Sequence, residues 1–209
     1  MKNGKNLLIF DYDGTIVDSG KCVLDAFNET APKYNIKKLK SLKDLGKLYR
    51  RNVFESIHLL GVPRKELRRF FLDWRIPYLK NYKRIKAFSG MKNIVNNLAK
   101  NNVLIIVTSN SSDSIKKSMK KLGIKIREVV GGEKEMSKVV KITKLKKRYP
   151  KLEAYYIGDT GGDAKEAKRA GIKSIAVSWG YNSKRHLIKA KPDFIVDKPR
   201  DLLRIFQDE

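Results

Sequence analysis

Short apolar segments recur along the chain and alternate with stretches whose apolar residues follow a helical period. The short segments are rich in β-branched residues and are bounded by turn residues, which is the pattern of buried strands. They lie at residues 5–10, 103–107, 126–130, 154–157, 174–177 and 194–196. The helical stretches lie at residues 91–100, 112–122, 137–148, 163–170 and 183–189. Alternating strands and helices predict parallel pairing through right-handed crossovers, and so an α/β fold built on a doubly wound, Rossmann-like parallel sheet.

One region, residues 17–86, interrupts this alternation. It shows no convincing strand, only helix-like patterns separated by proline and glycine. The patterns lie at residues 23–30, 48–60 and 65–82, and the breaks at Pro32, Gly61 and Pro63. Because the region is too long for a plain crossover loop, we predict a small α-helical cap inserted after the first strand. The predicted domains are a core of residues 1–16 and 87–209 and a cap of residues 17–86.

Polar residues follow the predicted strands at the end where open α/β sheets bind ligands, beyond the carboxyl ends of the strands. The groups that stand out are Asp11-Tyr12-Asp13-Gly14-Thr15, Thr108-Ser109-Asn110, Lys138 near a helix start, and Gly158-Asp159-Thr160-Gly161-Gly162-Asp163. Together they are expected to gather four carboxylates, a hydroxyl and an ammonium group at one edge of the sheet.

Neighbouring carboxylates predict a bound cation. Without one they could not all be ionised, because like charges at short range raise one another's pKa. Ligation by oxygen alone suits Mg²⁺, which takes a few carboxylates, a backbone carbonyl and waters and leaves positions for a substrate phosphate. A zinc site is not expected, since Cys22, His58 and His186 are scattered without ligand spacing.

Asp11 and Asp13 lie two residues apart, so an extended backbone directs both side chains toward one side and Tyr12 away from it. One carboxylate can then attack phosphorus while its neighbour acts as general acid/base, protonating the leaving group and later activating water. Gly14 has no side chain that would block the approach of a ligand to the backbone. The Gly14 and Thr15 amides are expected to bind phosphoryl oxygens as a small anion nest.

These groups, in this order, resemble the motifs of the haloacid dehalogenase superfamily, and the resemblance spans nearly the whole chain. It implies that Asp11 is the nucleophile and a metal ligand, and that Tyr12 offers its backbone carbonyl to Mg²⁺. Asp13 would be the general acid/base, with its own backbone carbonyl as an optional ligand. Asp159 would bind Mg²⁺, and Asp163 would either ligate it through water or orient the catalytic lysine.

For the phosphoryl group, the resemblance implies a hydrogen bond from Thr108 and charge neutralisation by Lys138. Ser109 and Asn110 are further predicted phosphate-binding residues, beside the loop of Gly14. Ser109 also competes with Thr108, because it offers a hydroxyl at the next position.

The identity of the lysine has alternatives. Many members of the family have a Lys-Pro pair at this point, whereas here Lys138 is followed by valine, and Lys134 and Lys141 compete with it. We favour Lys138 because Ser137 can act as an N-cap, which places Lys138 in the first turn of a helix.

The reaction within the superfamily is narrowed by Asp13. Dehalogenases and phosphonate hydrolases lack an aspartate two residues after the nucleophile, and the cap is similar to that of phosphoglycolate phosphatases and β-phosphoglucomutases. We therefore expect a Mg²⁺-dependent phosphatase that hydrolyses a small phosphorylated, phosphoglycolate-like metabolite through a phosphoaspartate intermediate. A β-phosphoglucomutase-like phosphomutase is an alternative, since it would carry the same motifs.

The net charge of +25 either attracts anions such as phosphates and nucleic acids or belongs to a solvated surface. Residues 17–86 hold 18 Lys or Arg against 7 Asp or Glu, and residues 64–75 mix basic and aromatic side chains. A nucleotide or nucleic-acid-end phosphatase guided by a basic cap is therefore a second hypothesis. The single cysteine and the shortness of every apolar run predict a cytoplasmic protein without membrane contact, whose oligomeric state the sequence leaves open.

Overall fold

A computed structural model describes residues 6–50, 53–133 and 135–206, apart from the side chain of residue 83. Lys134, one of the competing lysines, lies outside the described residues. The strands are β1 (Asn6–Phe10), β2 (Val17–Asp18), β3 (Lys86–Ala87), β4 (Val103–Val107), β5 (Glu128–Val130), β6 (Glu153–Gly158), β7 (Lys173–Val177) and β8 (Phe194–Val196). The α-helices are α1 (Gly20–Thr30), α2 (Leu42–Leu48), α3 (Val53–Leu59), α4 (Leu67–Asn81), α5 (Met91–Leu98), α6 (Ser112–Leu122), α7 (Lys138–Arg148), α8 (Gly161–Arg169), α9 (Lys184–Ala190) and α10 (Asp201–Phe206).

The main sheet is parallel throughout, with the strand order β5-β4-β1-β6-β7-β8. β1 lies inside it, paired with β4 on one side and β6 on the other. Helices connect the successive strands, as parallel pairing requires. The predicted doubly wound α/β fold is confirmed, and the loops that follow β4, β1 and β6 meet at one edge of the sheet.

Both faces of the sheet carry a hydrophobic cluster. Alternate residues of β1 point to opposite faces, so that Leu8 and Phe10 belong to one cluster and Leu7 and Ile9 to the other. All four side chains are almost completely buried. The larger cluster continues into the helices between β2 and β3. Packing on both faces therefore fixes the strand from which the first loop of the site emerges.

We call α1 to α4, with the residues between them, the helical segment. The strands that flank it pair antiparallel, Val17 opposite Ala87 and Asp18 opposite Lys86, so the prediction of no strand in residues 17–86 was wrong. Strands of two residues are too short to show an alternating pattern. The division into a core of 1–16 and 87–209 and a cap stays a prediction.

The helix predicted at residues 48–60 was wrong in its first part. α2 ends at Leu48 and α3 begins at Val53, and neither α2 nor α10 was predicted. α2 begins after Ser41, whose hydroxyl accepts a hydrogen bond from the Asp44 amide at 3.2 Å, a regular N-cap. Among the described residues, no helix has the length and apolar character needed to cross a membrane.

Candidate active site

The loop after β1 separates two carboxylates from a buried ring. The Asp11 amide donates to the carbonyl of Ile157 in β6 at 2.8 Å, which ties the start of the loop to the neighbouring strand. Tyr12 is buried in the core, where its hydroxyl donates to Ser118 Oγ at 2.8 Å. Asp11 and Asp13 instead line a cavity between the sheet edge and the helical segment.

Two glycines and two hydrogen-bond donors fix the carboxylate of Asp159. Gly14 has φ +74°, which favours glycine, and a Cβ atom at Gly14 or at Gly180 would collide with the Asp159 side chain. The carboxylate accepts a hydrogen bond from Thr15 Oγ1 at 3.1 Å and another from the Tyr181 amide at 2.6 Å. Glycine at both positions is thus required by the close approach of the Asp159 side chain.

Asp11, Asp159 and Asp163 form a candidate metal site. One carboxylate oxygen from each lies within 4.8 Å of the other two. The three residues are 9%, 0% and 3% exposed, so water screens their charges poorly. A compact set of carboxylate oxygens fits the preference of Mg²⁺ for hard oxygen ligands.

The electrostatics of this cluster also fit a cation. Burial raises the pKa of Asp11 to about 7, against the lowering effect of the Lys138 ammonium, and the charge of Asp163 raises it further. Burial, together with the charges of Asp163 and Asp11, raises the pKa of Asp159 well above its usual value. A bound cation would favour the ionised form of all these carboxylates.

Lys138 lies between two members of the cluster. Its Nζ donates to Asp11 Oδ2 at 2.8 Å and to Asp163 Oδ1 at 2.9 Å. The lysine is the first residue of α7, because Ser137 caps that helix by accepting a hydrogen bond from the Val140 amide at 3.3 Å.

Lys141, one of the competing lysines, is directed elsewhere. Its Nζ donates to the carbonyls of Thr108 at 2.8 Å and Gly131 at 3.2 Å, at the ends of β4 and β5. Of the lysines that the structure describes among the three candidates, Lys138 is therefore the one that contacts the carboxylates.

Asp163 has a structural contact on each oxygen. Oδ1 accepts from Lys138, and Oδ2 accepts from the Thr160 amide at 3.0 Å and the Thr160 hydroxyl at 2.7 Å. Thr160 and Asp163 together form the capping box that begins α8. The helix start thus orients the carboxylate, which also contacts the lysine, and both roles predicted for Asp163 stay predictions.

Asp13 contacts the helical segment. Its Oδ1 accepts from the hydroxyl of Tyr78 in α4 at 2.9 Å, and its Oδ2 accepts from the side-chain amide of Asn110 at 2.6 Å. Burial raises the pKa of Asp13, against the lowering effect of hydrogen bonds from Ser19 and Tyr78. A raised pKa suits a carboxyl group that must deliver a proton.

The three polar residues after β4 line the same cavity. Thr108 is 1% exposed, and its Oγ1 accepts a hydrogen bond from the Asn110 amide at 3.1 Å. Ser109 is exposed. Asn110, predicted to bind phosphate, directs its side-chain amide to Asp13.

Two backbone groups of the first loop that were predicted to bind ligands form hydrogen bonds within the turn. The Tyr12 carbonyl, predicted to bind Mg²⁺, accepts hydrogen bonds from the amides of Ile16 at 3.0 Å, Val17 at 3.2 Å and Thr15 at 3.4 Å. The Gly14 amide, predicted to bind phosphate with that of Thr15, donates to the Val17 carbonyl at 2.9 Å. The turn itself uses these groups, and their contacts with a metal ion and with an anion stay predictions.

Sequence reasoning missed the residues after β7. Besides Gly180 and Tyr181, these include Asn182, which is 4% exposed. Its Oδ1 accepts from the Gly161 amide at 3.1 Å, and its Nδ2 donates to the carbonyl of Gly46 in α2 at 2.9 Å. These residues follow a strand of the parallel sheet, so the rule that selected Thr108 also applies to them.

A parallel α/β sheet with buried carboxylates, a lysine and a hydroxyl at its carboxyl edge is an arrangement suited to phosphoryl transfer. The family described as haloacid dehalogenase-like hydrolase matches residues 8–177, and the chain belongs to this family. Similarity to phosphatases within it supports a hydrolase acting on phosphate esters.

Relatives with names that state a substrate cover almost the whole chain. The chain is 25% identical over 202 residues to a phosphoglycolate phosphatase of Synechococcus elongatus, with 94% of this chain and 95% of the relative covered. It is 24% identical over 211 residues to the pyrophosphatase PpaX of Listeria innocua, with 97% and 96% covered. The solved structure of a haloacid dehalogenase-like hydrolase from Streptococcus pneumoniae has a TM-score of 0.81 at 23% identity, with 97% and 98% covered, which supports the fold.

Proposed function

We propose that this protein is a Mg²⁺-dependent phosphatase that hydrolyses a small phosphomonoester through a phosphoaspartate on Asp11. The observation that carries the proposal is the position of Lys138, whose Nζ lies 2.8 Å from Asp11 Oδ2. An ammonium group at this distance favours the ionised carboxylate, which is the form that attacks phosphorus. Asp13 lines the same cavity two residues further on, where it can reach the same substrate.

The reaction would proceed in two displacements. First, a carboxylate oxygen of Asp11 bonds to phosphorus and the bond from phosphorus to the leaving oxygen breaks, while Asp13 gives that oxygen its proton. Asp13 then takes a proton from water, the water oxygen bonds to phosphorus, and the acyl phosphate bond to Asp11 breaks. Thr108 would donate a hydrogen bond to the transferring group, and Lys138 would offset its charge.

Asp11, Asp159 and Asp163 would hold the Mg²⁺, with the Asp13 backbone carbonyl as an optional further ligand. When bound, the ion would offset charge on the phosphoryl oxygens. Asp163 already contacts Lys138 and Thr160, which favours ligation through water for this residue.

We further propose that the helical segment acts as a cap that excludes water and sets specificity. α4 contacts the proposed general acid through Tyr78, and α2 contacts the loop after β7 through Asn182. The contact of α4 with Asp13 and the contact of α2 with the loop that carries Tyr181 support this role.

The names of the relatives point to different leaving groups, glycolate in one case and phosphate in the other. 2-Phosphoglycolate and pyrophosphate are therefore the first substrates to test. The phosphomutase and the nucleic-acid-end phosphatase stay alternatives, which the same assay can distinguish.

The test is phosphate release with Mg²⁺ and with EDTA, measured on these two compounds, sugar phosphates, nucleoside monophosphates and phosphorylated oligonucleotides. Asp11→Asn is the control variant, which should keep its circular dichroism spectrum and lose turnover. Mg²⁺-dependent release by that variant would show that Asp11 is not the nucleophile. A preference for oligonucleotides that salt weakens would favour the nucleic-acid hypothesis.

A further inference from the structure

The cavity above the carboxylates has a mainly aromatic wall on the side of the helical segment. It measures ≈ 160 Å³ and lies between the sheet edge, with Asp11 and Lys138, and the helical segment. Its aromatic lining residues are Tyr49, Phe54, Phe71, Trp74, Tyr78 and Tyr181. All but Tyr181 come from residues 17–86, the region that contains the helical segment proposed to set specificity.

The charge of this wall differs sharply from that of the region that supplies it. Residues 17–86 contain 18 Lys or Arg, yet Arg75 is the single basic side chain that the described part of this region contributes to the cavity. A site that selects a strongly anionic leaving group is expected to present several cations. Residues 17–86 contain these cations but place mainly aromatic side chains at the cavity. This arrangement favours an uncharged, ring-shaped leaving group.

The rings are held in a fixed arrangement. The Phe71 and Phe54 centroids lie 4.2 Å apart, and the Phe71 ring stacks on Trp74 at 5.7 Å with an angle of 22° between the planes. Trp74 is itself anchored, since its Nε1 donates to the Val23 carbonyl at 3.3 Å. Phe71 is only partly buried, so part of its ring remains available to a ligand. Rings that are already ordered bind a further ring at little entropic cost.

The aromatic wall reaches the reacting groups. The Tyr78 hydroxyl lies 2.9 Å from Asp13 Oδ1. The Tyr49 ring contacts that of Tyr181 at 5.3 Å, and the Tyr181 amide bonds to the Asp159 carboxylate. A leaving group that contacts these rings would therefore begin close to the phosphoryl group, joined to it by a short linker.

We propose that the preferred substrate is a phosphomonoester whose leaving group is one planar unsaturated ring on a short linker, as in an arylmethyl phosphate. This inference rests on the proposed phosphatase function. In the first displacement the Asp11 carboxylate bonds to phosphorus, and the linker oxygen leaves as an alcohol with the proton from Asp13. Water then bonds to phosphorus, and the acyl phosphate bond to Asp11 breaks to release phosphate. A cavity of ≈ 160 Å³ has room for a single ring, since a protein cavity of about 150 Å³ accommodates benzene.

The test compares benzyl phosphate with cyclohexylmethyl phosphate, which have similar size and similar leaving alcohols but differ in the aromatic ring. We expect kcat/KM to be about tenfold higher for benzyl phosphate, as one favourable ring pair allows. Benzyl phosphate should also exceed 2-phosphoglycolate. Uridine 5′-monophosphate should be slower than benzyl phosphate, because its ribose separates the ring from the phosphate and adds bulk.

The variant Phe71→Leu keeps an apolar side chain and removes the ring, so it should reduce the benzyl preference to less than about threefold. Phe54→Leu is the second variant, should Phe71→Leu fail to fold by circular dichroism. Phe194→Leu is the matched control, since Phe194 is 38% exposed on β8 and does not line the cavity. It should keep the preference unchanged.

Equal rates for the two ring esters, or a faster reaction of 2-phosphoglycolate or uridine 5′-monophosphate, would overturn this inference and leave the phosphatase function intact. Mg²⁺-dependent release from none of the compounds would overturn the phosphatase function, and this inference with it. A benzyl preference that survives in both phenylalanine variants would show that this wall does not select the ring.

Discussion

Lys138 and Lys141 lie one helical turn apart and have different surroundings. Lys138 contacts the carboxylates of Asp11 and Asp163, whereas Lys141 donates to the backbone carbonyls of Thr108 and Gly131. We expect Lys138→Ala to lower kcat by about 10²–10³-fold, because a preorganised charge beside the phosphoryl group is lost. Steady-state phosphate release measures the effect.

Variants of the other two lysines complete this experiment. Lys141→Ala removes an anchor of the strand ends, so it should lower the free energy of unfolding. Lys134→Ala is included because that residue lies outside the described residues. Near-normal turnover of Lys138→Ala, with a large loss in either of the other variants, would show that Lys138 is not the lysine that offsets the phosphoryl charge.

Because the ammonium group of Lys141 is buried, we also expect the free energy of unfolding to depend on pH. The side chain is 2% exposed, and burial, together with the charge of Lys138, lowers its pKa from 10.5 to about 8. Between these values the unfolded chain binds a proton that the native state has released, so the free energy of unfolding should rise with pH. The gain is up to about 3 kcal/mol.

The pH experiment compares urea denaturation of the wild type and Lys141→Met from pH 7.5 to 10.5. Other lysines and tyrosines titrate in this range in both proteins, so the difference between the two curves isolates Lys141. The wild type should gain stability relative to the variant as the pH rises through this range. A constant difference would contradict the lowered pKa of this side chain.

At the scale of elements, a serine N-cap helped to predict α7 but did not reveal α2, which begins after Ser41 and is only 7 residues long. α7 was predicted at residues 137–148 and begins at Lys138, because Ser137 supplies the N-cap. The helix predicted at 48–60 lacked such a signal at its start, and the break after Leu48 could not be recognised from its apolar pattern. β2 and β3 exist only through their pairing across the helical segment, which a single sequence does not display.

In the loops of the candidate site, too, some residues could be predicted from the sequence and others could not. Asp11 and Asp159 could be selected because they follow strands, and neighbouring parallel strands bring such positions together. The role of the Tyr12 carbonyl could not be predicted, because it depends on the turn that directs the amides of Ile16 and Val17 toward it. The contact of Asn110 with Asp13 likewise depends on side-chain packing rather than on spacing.

Gly14, in the loop after β1, and Gly90, directly before α5, should respond differently to substitution by alanine. Gly14 and Gly90 have nearly equal φ angles, +74° and +77°, but a Cβ atom would collide with Asp159 only at Gly14 and would meet nothing within 4 Å at Gly90. Gly90→Ala should cost about 1 kcal/mol of unfolding free energy from backbone strain alone. Gly14→Ala should cost more and should also lower kcat, since the Asp159 carboxylate must move.

Urea denaturation and phosphate release measure the two effects on the glycine variants. Equal losses of stability, with normal turnover in Gly14→Ala, would show that the close approach to Asp159 is unimportant. A loss of turnover in Gly90→Ala would show that backbone strain alone disturbs the site.

Across the whole molecule, charge is distributed unevenly. The chain has a net charge of +25, yet the candidate active site concentrates acidic side chains in its interior. A positive surface around a phosphate site raises the local concentration of anionic substrates. Recruitment of nucleic acid by this surface stays a prediction.

The buried carboxylates also predict how a cation affects the stability of the whole fold. Asp11, Asp159 and Asp163 repel one another in the native state, and this repulsion is relieved when a divalent cation binds. At a Mg²⁺ concentration about 100 times the Kd, linkage adds about 2.7 kcal/mol to the free energy of unfolding. For a chain of this size, Tm should rise by about 5–10 °C, measured by circular dichroism.

Asp159→Asn tests whether the carboxylate cluster causes this shift. Without Mg²⁺ its Tm should equal or exceed that of the wild type, because a buried carboxyl group, whose ionised form its acidic neighbours disfavour, is replaced by a neutral amide. Most of the Mg²⁺-induced rise should be lost. Asp113→Asn is the matched control, since its side chain is 80% exposed and should leave the rise intact. A full rise in Asp159→Asn, at ionic strength balanced with KCl, would show that the stabilising cation binds elsewhere on the molecule.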